Sequence, residues 1–161
     1  MKKILLFLIA TGFAASCFAQ QDLAFPFQGG KPVMDKFFKE NIDISTDVVK
    51  RKATGTAVFK FTADTAGAIK KIIIYYADDV SLISPIVEAL KKTNGQWIIP
   101  FREKARDFII PFKINFTPPA NAGPAVQKAV FDFQRNRKPI LPTDQVPLDM
   151  ATLLPAVVIN Y

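Results

Sequence analysis

The stretch TAVFKFTADTAGAIKKIIIYY, residues 56–76, decides the fold. Residues 56–63 alternate between two faces with β-branched and aromatic side chains, which is the period and composition of a β-strand. Asp64 to Gly67 carries a turn signal, with Gly67 available for a positive φ angle. Residues 68–76 are rich in Ile and Tyr and form the second arm. The stretch therefore predicts an antiparallel β-hairpin.

The segments around the hairpin predict two helices and a further strand. Residues 32–42 and 81–93 each space apolar side chains along one helical face. Residues 108–116 alternate and predict a third strand, in which Pro111 lacks a ladder donor and so indicates an edge position. The polar residues 43–54 predict a loop. The order of elements predicts an α+β fold, a three-stranded antiparallel sheet with helices on one face.

Residues 1–19 are typical of a bacterial signal peptide. A positively charged start precedes an apolar run, and small side chains at Cys17 and Ala19 suit a signal peptidase that cuts before Gln20. The run is shorter than the ~20 residues of a transmembrane helix, so an uncleaved anchor is the less favoured interpretation. The residues ending in Cys17 also loosely resemble a lipobox, in which this cysteine carries a lipid. The sequence predicts export to the periplasm, with lipid anchoring to a membrane that faces the periplasm as the alternative.

Missing residue types exclude several classes of site. The chain has no His, and its one Cys lies in the predicted leader. A chain without that leader therefore has no disulfide, thiol nucleophile or Ser-His-Asp triad, and zinc and copper lose their commonest ligands. We predict a non-enzymatic protein without cofactor or metal. A carboxylate-based hydrolase stays open and requires two acids from different segments in one cleft. The adjacent pair Asp78-Asp79 is better explained as a turn before a helix.

The positive charge does not indicate a nucleic-acid partner. The formal net charge is +7, but the basic residues are scattered, and Lys50-Arg51-Lys52 is their longest run. Such a distribution is typical of a solvated surface. Export would also separate the chain from nucleic acid, so we expect a protein partner in the cell envelope instead.

A series of residues along the chain then forms a recognisable order. Its most specific parts are the Trp97-x-x-Pro100 step and the final strand with Pro111. The whole series runs Gly29-Gly30, Phe37/Phe38, Asn41, Phe59, Phe61, Asp64-x-x-Gly67, Ile72, Ile74, Gly95-x-Trp97-x-x-Pro100 and Ile110-Pro111-Phe112-x-x-x-Phe116. This order, over roughly residues 27–117, resembles the C-terminal domain of TonB-like proteins, in the version common among exported proteins of the Bacteroidetes.

The resemblance implies a protein-binding module. In TonB-like domains a short segment of an outer-membrane receptor pairs along the edge of the last strand, which is β-augmentation. Carried over to this chain, the partner-binding edge consists of Phe108, Ile109, Ile110, Pro111, Phe112, Lys113, Ile114, Asn115 and Phe116. The chain departs from a full TonB because it lacks a permanent membrane anchor and a long Pro/Lys-rich linker. Both departures argue against energy transduction and leave an outer-membrane receptor or another envelope protein as partner.

Trp97 leaves a second function open. It is either a surface aromatic on which a ligand stacks or, as we prefer, a packing residue. In the second function the protein binds a small apolar ligand in a pocket between the sheet, Trp97 and the C-terminal tail.

The domain organisation is a signal peptide at 1–19, a TonB C-terminal-like domain at 20–117 and a Pro-rich extension at 118–161. A short helix is predicted at 124–133, and the apolar end near 157–159 can form a strand. We expect this tail to dock on the domain and to cover the edge of the strand 108–116.

Overall fold

The computed structural model describes residues 25–142, 147–148 and 150–161. Within these residues the helices are α1 (Gly30–Asn41), α2 (Thr46–Arg51), α3 (Ile83–Lys92) and α4 (Pro124–Arg135). The strands are β1 (Gly55–Asp64), β2 (Ile69–Ala77), β3 (Ala105–Asn115), β4 (Thr152–Leu153) and β5 (Val157–Asn160), and a 3-10 helix at Val80–Leu82 leads into α3. The predicted signal peptide, residues 1–19, lies outside the described residues.

The strands form one mixed sheet of five strands. β1 lies between β2 and β3 and is antiparallel to both, whereas β4 and β5 pair with the other side of β3 and run parallel to it. The predicted α+β class is confirmed. The predicted purely antiparallel sheet of three strands is wrong, because it omitted β4 and β5. These strands are so short that their periodicity carries little signal, and their backbone partners lie far away in the sequence.

The hairpin between β1 and β2 turns at the predicted glycine. Gly67 has a φ angle of 71°, and a Cβ atom there would lie 2.5 Å from the carbonyl oxygen of Trp97. The Asp64 carboxylate accepts hydrogen bonds from the backbone N–H groups of Ala66 and Ala68. Only glycine meets both the angle and the close approach, so the turn and the packing of the Trp97 segment depend on the same residue.

The core lies between one face of the sheet and the helices α1 and α3. Phe38 of α1 packs edge-on against Phe112 of β3, with ring centroids 5.0 Å apart. Burying each such side chain contributes about 1.5–3 kcal/mol. The large side chains that are fully buried are Phe27, Phe38, Phe59, Phe61, Phe108, Phe112, Met34, Leu82, Ile86, Leu90, Ile110 and Ile114.

Helix α2 lies inside the predicted loop 43–54, so that prediction is wrong. Ser45 caps the helix, because its side-chain oxygen accepts a hydrogen bond from the backbone N–H of Val48. Lys52 ends it in the left-handed region with a φ angle of 54°. Val48 is the buried residue of this helix. A helix of six residues is too short to show a periodic apolar stripe, and its packing against the rest of the fold stabilises it.

Asp79, which follows β2, forms hydrogen bonds to α2, to the 3-10 helix and to the segment after α4. Its fully buried carboxylate accepts hydrogen bonds from the Arg51 guanidinium at 3.3 Å, from Ser81 and from the backbone N–H of Lys138 at 2.9 Å. Burial alone would raise the pKa of Asp79, but these hydrogen bonds outweigh it and hold the pKa below its ordinary value. The predicted turn at Asp78-Asp79 is confirmed, and it also fixes the segment that follows α4.

Candidate functional site

The strand predicted to pair with a partner has neighbours on both sides. β1 runs along one side of β3 from Ala105 to Ile114. β4 pairs with Phe108 and Ile109 on the other side, and β5 pairs with residues 112–115. The prediction that the C-terminal tail covers this edge is confirmed. The expected edge position of residues 108–116 is corrected, because the tail's backbone pairs where a partner's backbone would.

Pro111 lies at the one break in this covering. The backbone of Ile109 and Asn115 faces the tail, since their carbonyl oxygens accept hydrogen bonds from Leu154 and Tyr161 at 2.8 and 3.1 Å. Because strand residues alternate, the missing N–H of Pro111 faces the tail as well. The tail pairs with Ile109 through Leu153 and with Phe112 through Val157, so it has one residue more than β3 between these two pairs. Its pairing with β3 is interrupted in this interval, which contains Pro155. Pro111 therefore coincides with the gap between the two segments of the tail that pair with β3.

The tail is anchored by packing as well as by backbone pairing. Leu154, Val157 and Ile159 are buried in the core cluster. The Tyr161 hydroxyl donates towards the carbonyl oxygens of Val48 and Ala53, at 3.2 and 2.7 Å, and burial raises the pKa of Tyr161 to about 12. Three buried apolar side chains contribute about 5–9 kcal/mol together. Displacement of this tail by a short peptide would therefore be energetically costly.

The opposite edge of the sheet is open along most of its length. β2 pairs with β1 on one side. On its other side, Ile140 forms a two-way backbone bridge to Ala77 at one end, and the Asn94 side chain accepts from the Ile69 N–H at the other. Between these ends, residues 70–76 have no backbone partner on that side among the described residues. This edge has the length of a typical strand.

A groove runs between this open edge and helix α3. It has a volume of about 390 Å³ and an apolar floor that includes Ile72 and Val87. Its lining is completed by Ile69, Lys70, Lys71, Lys91 and Asn94. A groove between an edge strand and a helix can take an extended chain, whose backbone pairs with the strand while alternate side chains point into the groove.

The rim of the groove is basic. Lys70 contacts Asp64 at 2.8 Å and Lys91 contacts Glu88 at 2.9 Å. Lys71 pairs with Thr62 and so lies on the sheet face opposite the helices, where its charge helps to lower the pKa of Asp107, although no described carboxylate lies within 4 Å of its ammonium group. Hydrogen bonding to Lys70 lowers the pKa of Asp64. Sequence reasoning missed this site, although the pairs Lys70-Lys71 in a strand and Lys91-Lys92 at a helix end were a visible signal. The hairpin pattern did not reveal which outer strand stays open.

Trp97 is a core residue, and the surface position considered for it is wrong. Its side chain is 3% exposed and packs against the rings of Phe27, Phe61 and Phe108 at centroid distances of 4.5–5.2 Å. Its indole N–H donates to the Thr93 hydroxyl at 2.8 Å. These rings enclose the indole, so Trp97 has no exposed face on which a ligand could stack.

A cleft beside β3 contains two carboxylates, and each is paired with a basic side chain. The cleft measures about 620 Å³ and includes Glu103, Arg106 and Asp107. Glu103 forms a two-point ion pair with Arg106, and Asp107 accepts from Thr62 at 2.6 Å and from Lys60 at 2.9 Å. These hydrogen bonds lower the pKa of both acids. General acid catalysis at neutral pH requires a carboxyl group with a raised pKa, and neither acid has one.

Lys60 contacts the segment before β4 through the backbone of Pro147. Its side chain lies on the sheet face opposite the helices and is almost fully buried. The ammonium group donates to the carbonyl oxygen of Pro147 at 2.6 Å in addition to its ion pair with Asp107. This contact ties the segment before β4 to the sheet, so we assign Lys60 a structural role.

Comparison with known proteins gives no relative for this site: no family model matches the sequence, and no curated protein or solved structure is significantly similar to it.

Two absences hold for residues 25–142, 147–148 and 150–161. None of their helices is both long and apolar enough to cross a bilayer. None of their acidic side chains form a group of three or more that could hold a metal ion.

Proposed function

We propose that the protein is a non-enzymatic interaction module of the periplasm, similar in fold to the C-terminal domain of TonB-like proteins. It binds an extended segment of a cell-envelope protein, such as an outer-membrane receptor, by strand addition. The observation that carries this proposal is the open edge of β2 beside the groove of α3. The partner strand is assigned to this edge because the tail already pairs with the other side of β3.

The lysines around the groove favour a partner segment with acidic side chains. Three lysines line the groove, and Lys71 has no ion-pair partner among the described residues. An acidic extended segment with apolar side chains at alternate positions complements both the rim and the floor.

A synthetic peptide of alternating Val and Glu, about eight residues long, tests the pairing. N-methylation at every second residue removes backbone donors from one edge of the peptide only. Two peptides are compared, one methylated at the odd positions and one at the even positions. We expect calorimetry to show that one of them no longer binds and that the other still does. The amide NMR signals of residues 70–76 should shift. Equal binding of both methylated peptides, or shifts confined to other strands, would contradict strand addition.

A charge reversal tests the rim. Lys71→Glu should weaken binding of the same peptide by about tenfold, since one charge pair near the surface contributes on the order of 1 kcal/mol. Lys113→Glu is the matched control, because Lys113 is also an exposed strand lysine, on β3 and away from the groove. If both variants weaken binding equally, the attraction is a property of the net charge and not of this groove.

A further inference from the structure

Two turns at one end of the molecule each place a large apolar side chain fully in solvent. The turn from Pro100 to Glu103 is closed by a backbone hydrogen bond of 2.9 Å, and Phe101 lies at its tip, fully exposed. Met150 is 98% exposed in a second turn, where its φ angle is 63°. A left-handed angle is unfavourable for methionine, and the exposed side chain recovers none of that cost through burial.

Each of the two turns contributes residues to one of two adjoining depressions. An open and mainly apolar groove of about 470 Å³ joins Pro100 and Ile98 to Leu153, and Met150 lies at the neighbouring cleft, whose acids Glu103 and Asp107 are paired with Arg106 and Lys60. Arg106 and Thr152 line both depressions, so the two share a boundary. Leu153 is 69% exposed and Ile98 is 43% exposed. Single exposed apolar residues are ordinary, but a contiguous group of this kind marks a binding surface.

Positive charge surrounds the apolar tip. Arg102 and Lys104 flank it, both are exposed, and neither has an ion pair among the described residues. Glu103, the one acid of this turn, is neutralised by Arg106. Protruding apolar side chains ringed by unpaired basic groups complement an anionic bilayer surface, where the apolar groups enter the headgroup region and the cations meet lipid phosphates.

A residue that precedes α1 also lies on this surface. Phe25, the first described residue, lines the groove together with Leu153. Cys17, the candidate lipidation site, precedes Phe25 by eight residues, a reach of at most about 29 Å. A lipid on that cysteine would hold the chain at a membrane with this surface within reach of the bilayer.

We propose that the surface formed by Phe101, Met150, Leu153, Ile98, Arg102 and Lys104, which we term the apolar tip, binds anionic lipid membranes. It shares no lining residue with the groove beside β2, so the inference does not depend on the proposed strand addition. A protein bound at the membrane in this way keeps its groove free for a partner.

Co-sedimentation with vesicles tests the proposal. The probes are vesicles of equal parts phosphatidylglycerol and phosphatidylcholine, and vesicles of phosphatidylcholine alone. The protein is the purified chain, with an N-terminus read from its intact mass and identical in every variant. We expect preferential binding to the anionic vesicles that weakens at high salt. The double variant Phe101→Ser/Met150→Ser should lower the partition coefficient at least tenfold, from the apolar area withdrawn from water.

Phe131→Ser is the matched control, because Phe131 is 64% exposed on α4 and does not line the tip. It should leave binding unchanged. A second measurement uses Phe101→Trp, whose fluorescence should shift to the blue with anionic vesicles and be quenched by brominated lipid, while Phe131→Trp shows neither change. The proposal is overturned if the double variant binds as the native chain does, if Phe101→Trp shows no quenching, or if the tip variants abolish self-association in solution instead.

Discussion

β2 and β3 both flank β1, but they differ in whether their outer side is paired. The strand at 108–116 carries the proline that indicates an edge, yet it lies inside the sheet because β4 and β5 pair with it. β2 is part of the central hairpin and carries lysines, yet between Ile69 and Ala77 its outer side has no backbone neighbour in the described part of the chain. An apolar strand edge gains from being covered, whereas lysines keep an open edge soluble and select what pairs with it.

The largest expected effect comes from removing the cover. A chain that ends at Ala151 loses β4, β5 and the buried side chains Leu154, Val157 and Ile159. We expect its free energy of unfolding to fall by about 5–9 kcal/mol, which is comparable to the total stability of many domains. Urea denaturation measures this loss, and hydrogen exchange of the β3 amides reports the opened edge.

A pair of point variants refines this result. Ile159→Ala should cost about 2–4 kcal/mol because its side chain is buried, whereas Val158→Ala, on the exposed face of the same strand, should cost less than about 0.5 kcal/mol. Equal and small losses from both variants would show that the tail only rests on the sheet.

An intermediate effect is expected at the end of the open edge, where Asp79 holds the segment that bridges to Ala77. Asp79→Asn should lower the free energy of unfolding by about 2–4 kcal/mol, since it removes the charge that Arg51 faces. Because the pKa of Asp79 is lower in the folded state than in the unfolded chain, its stabilisation is complete above about pH 5 and is lost as the pH falls towards the folded-state value.

The pH dependence of urea denaturation checks this sign. The stability of the native chain should fall more steeply on acidification than that of Asp79→Asn. Asp43→Asn is the control, because Asp43 is exposed and has no ion pair among the described residues. Parallel pH profiles for the native chain and Asp79→Asn would contradict the assigned network.

The smallest effect is expected from the last residue of the covered edge. Tyr161→Phe removes the hydroxyl that reaches Val48 and Ala53 and keeps the ring beside Phe116. We expect a loss of about 1 kcal/mol, the usual contribution of a partly buried hydrogen bond. A loss above about 3 kcal/mol in thermal or urea denaturation would show that the hydroxyl contributes more than a single such bond.

Much of the fold was predictable because its decisive elements are local. The hairpin, the helices α1, α3 and α4 and the strand β3 each have a period that repeats several times, and Gly67 marks the turn. α2 was missed because a single cap at Ser45 is a weak signal. β4 was missed because two residues have no period, and its backbone partner lies some forty residues away.

The candidate sites were less predictable because they depend on which surfaces meet. Nothing in the sequence distinguishes Lys71 or Phe101 from other residues of their type. The structure places Lys71 on the open edge of β2 and exposes Phe101 at the apolar tip. Trp97 shows the converse, since a tryptophan between a helix and a strand has no preference for the surface until Phe27, Phe61 and Phe108 enclose it.

The sequence by itself determined the α+β class, the hairpin, the absence of histidine and the docking of an apolar tail. It did so through periodicity, turn chemistry and composition, which are properties of neighbouring residues. Only the tertiary structure decided which strand edge stays open, because that depends on parallel pairing between residues 112–115 and residues 157–160. Such pairing is set by the burial of the whole tail against the core, a free energy that no local pattern contains.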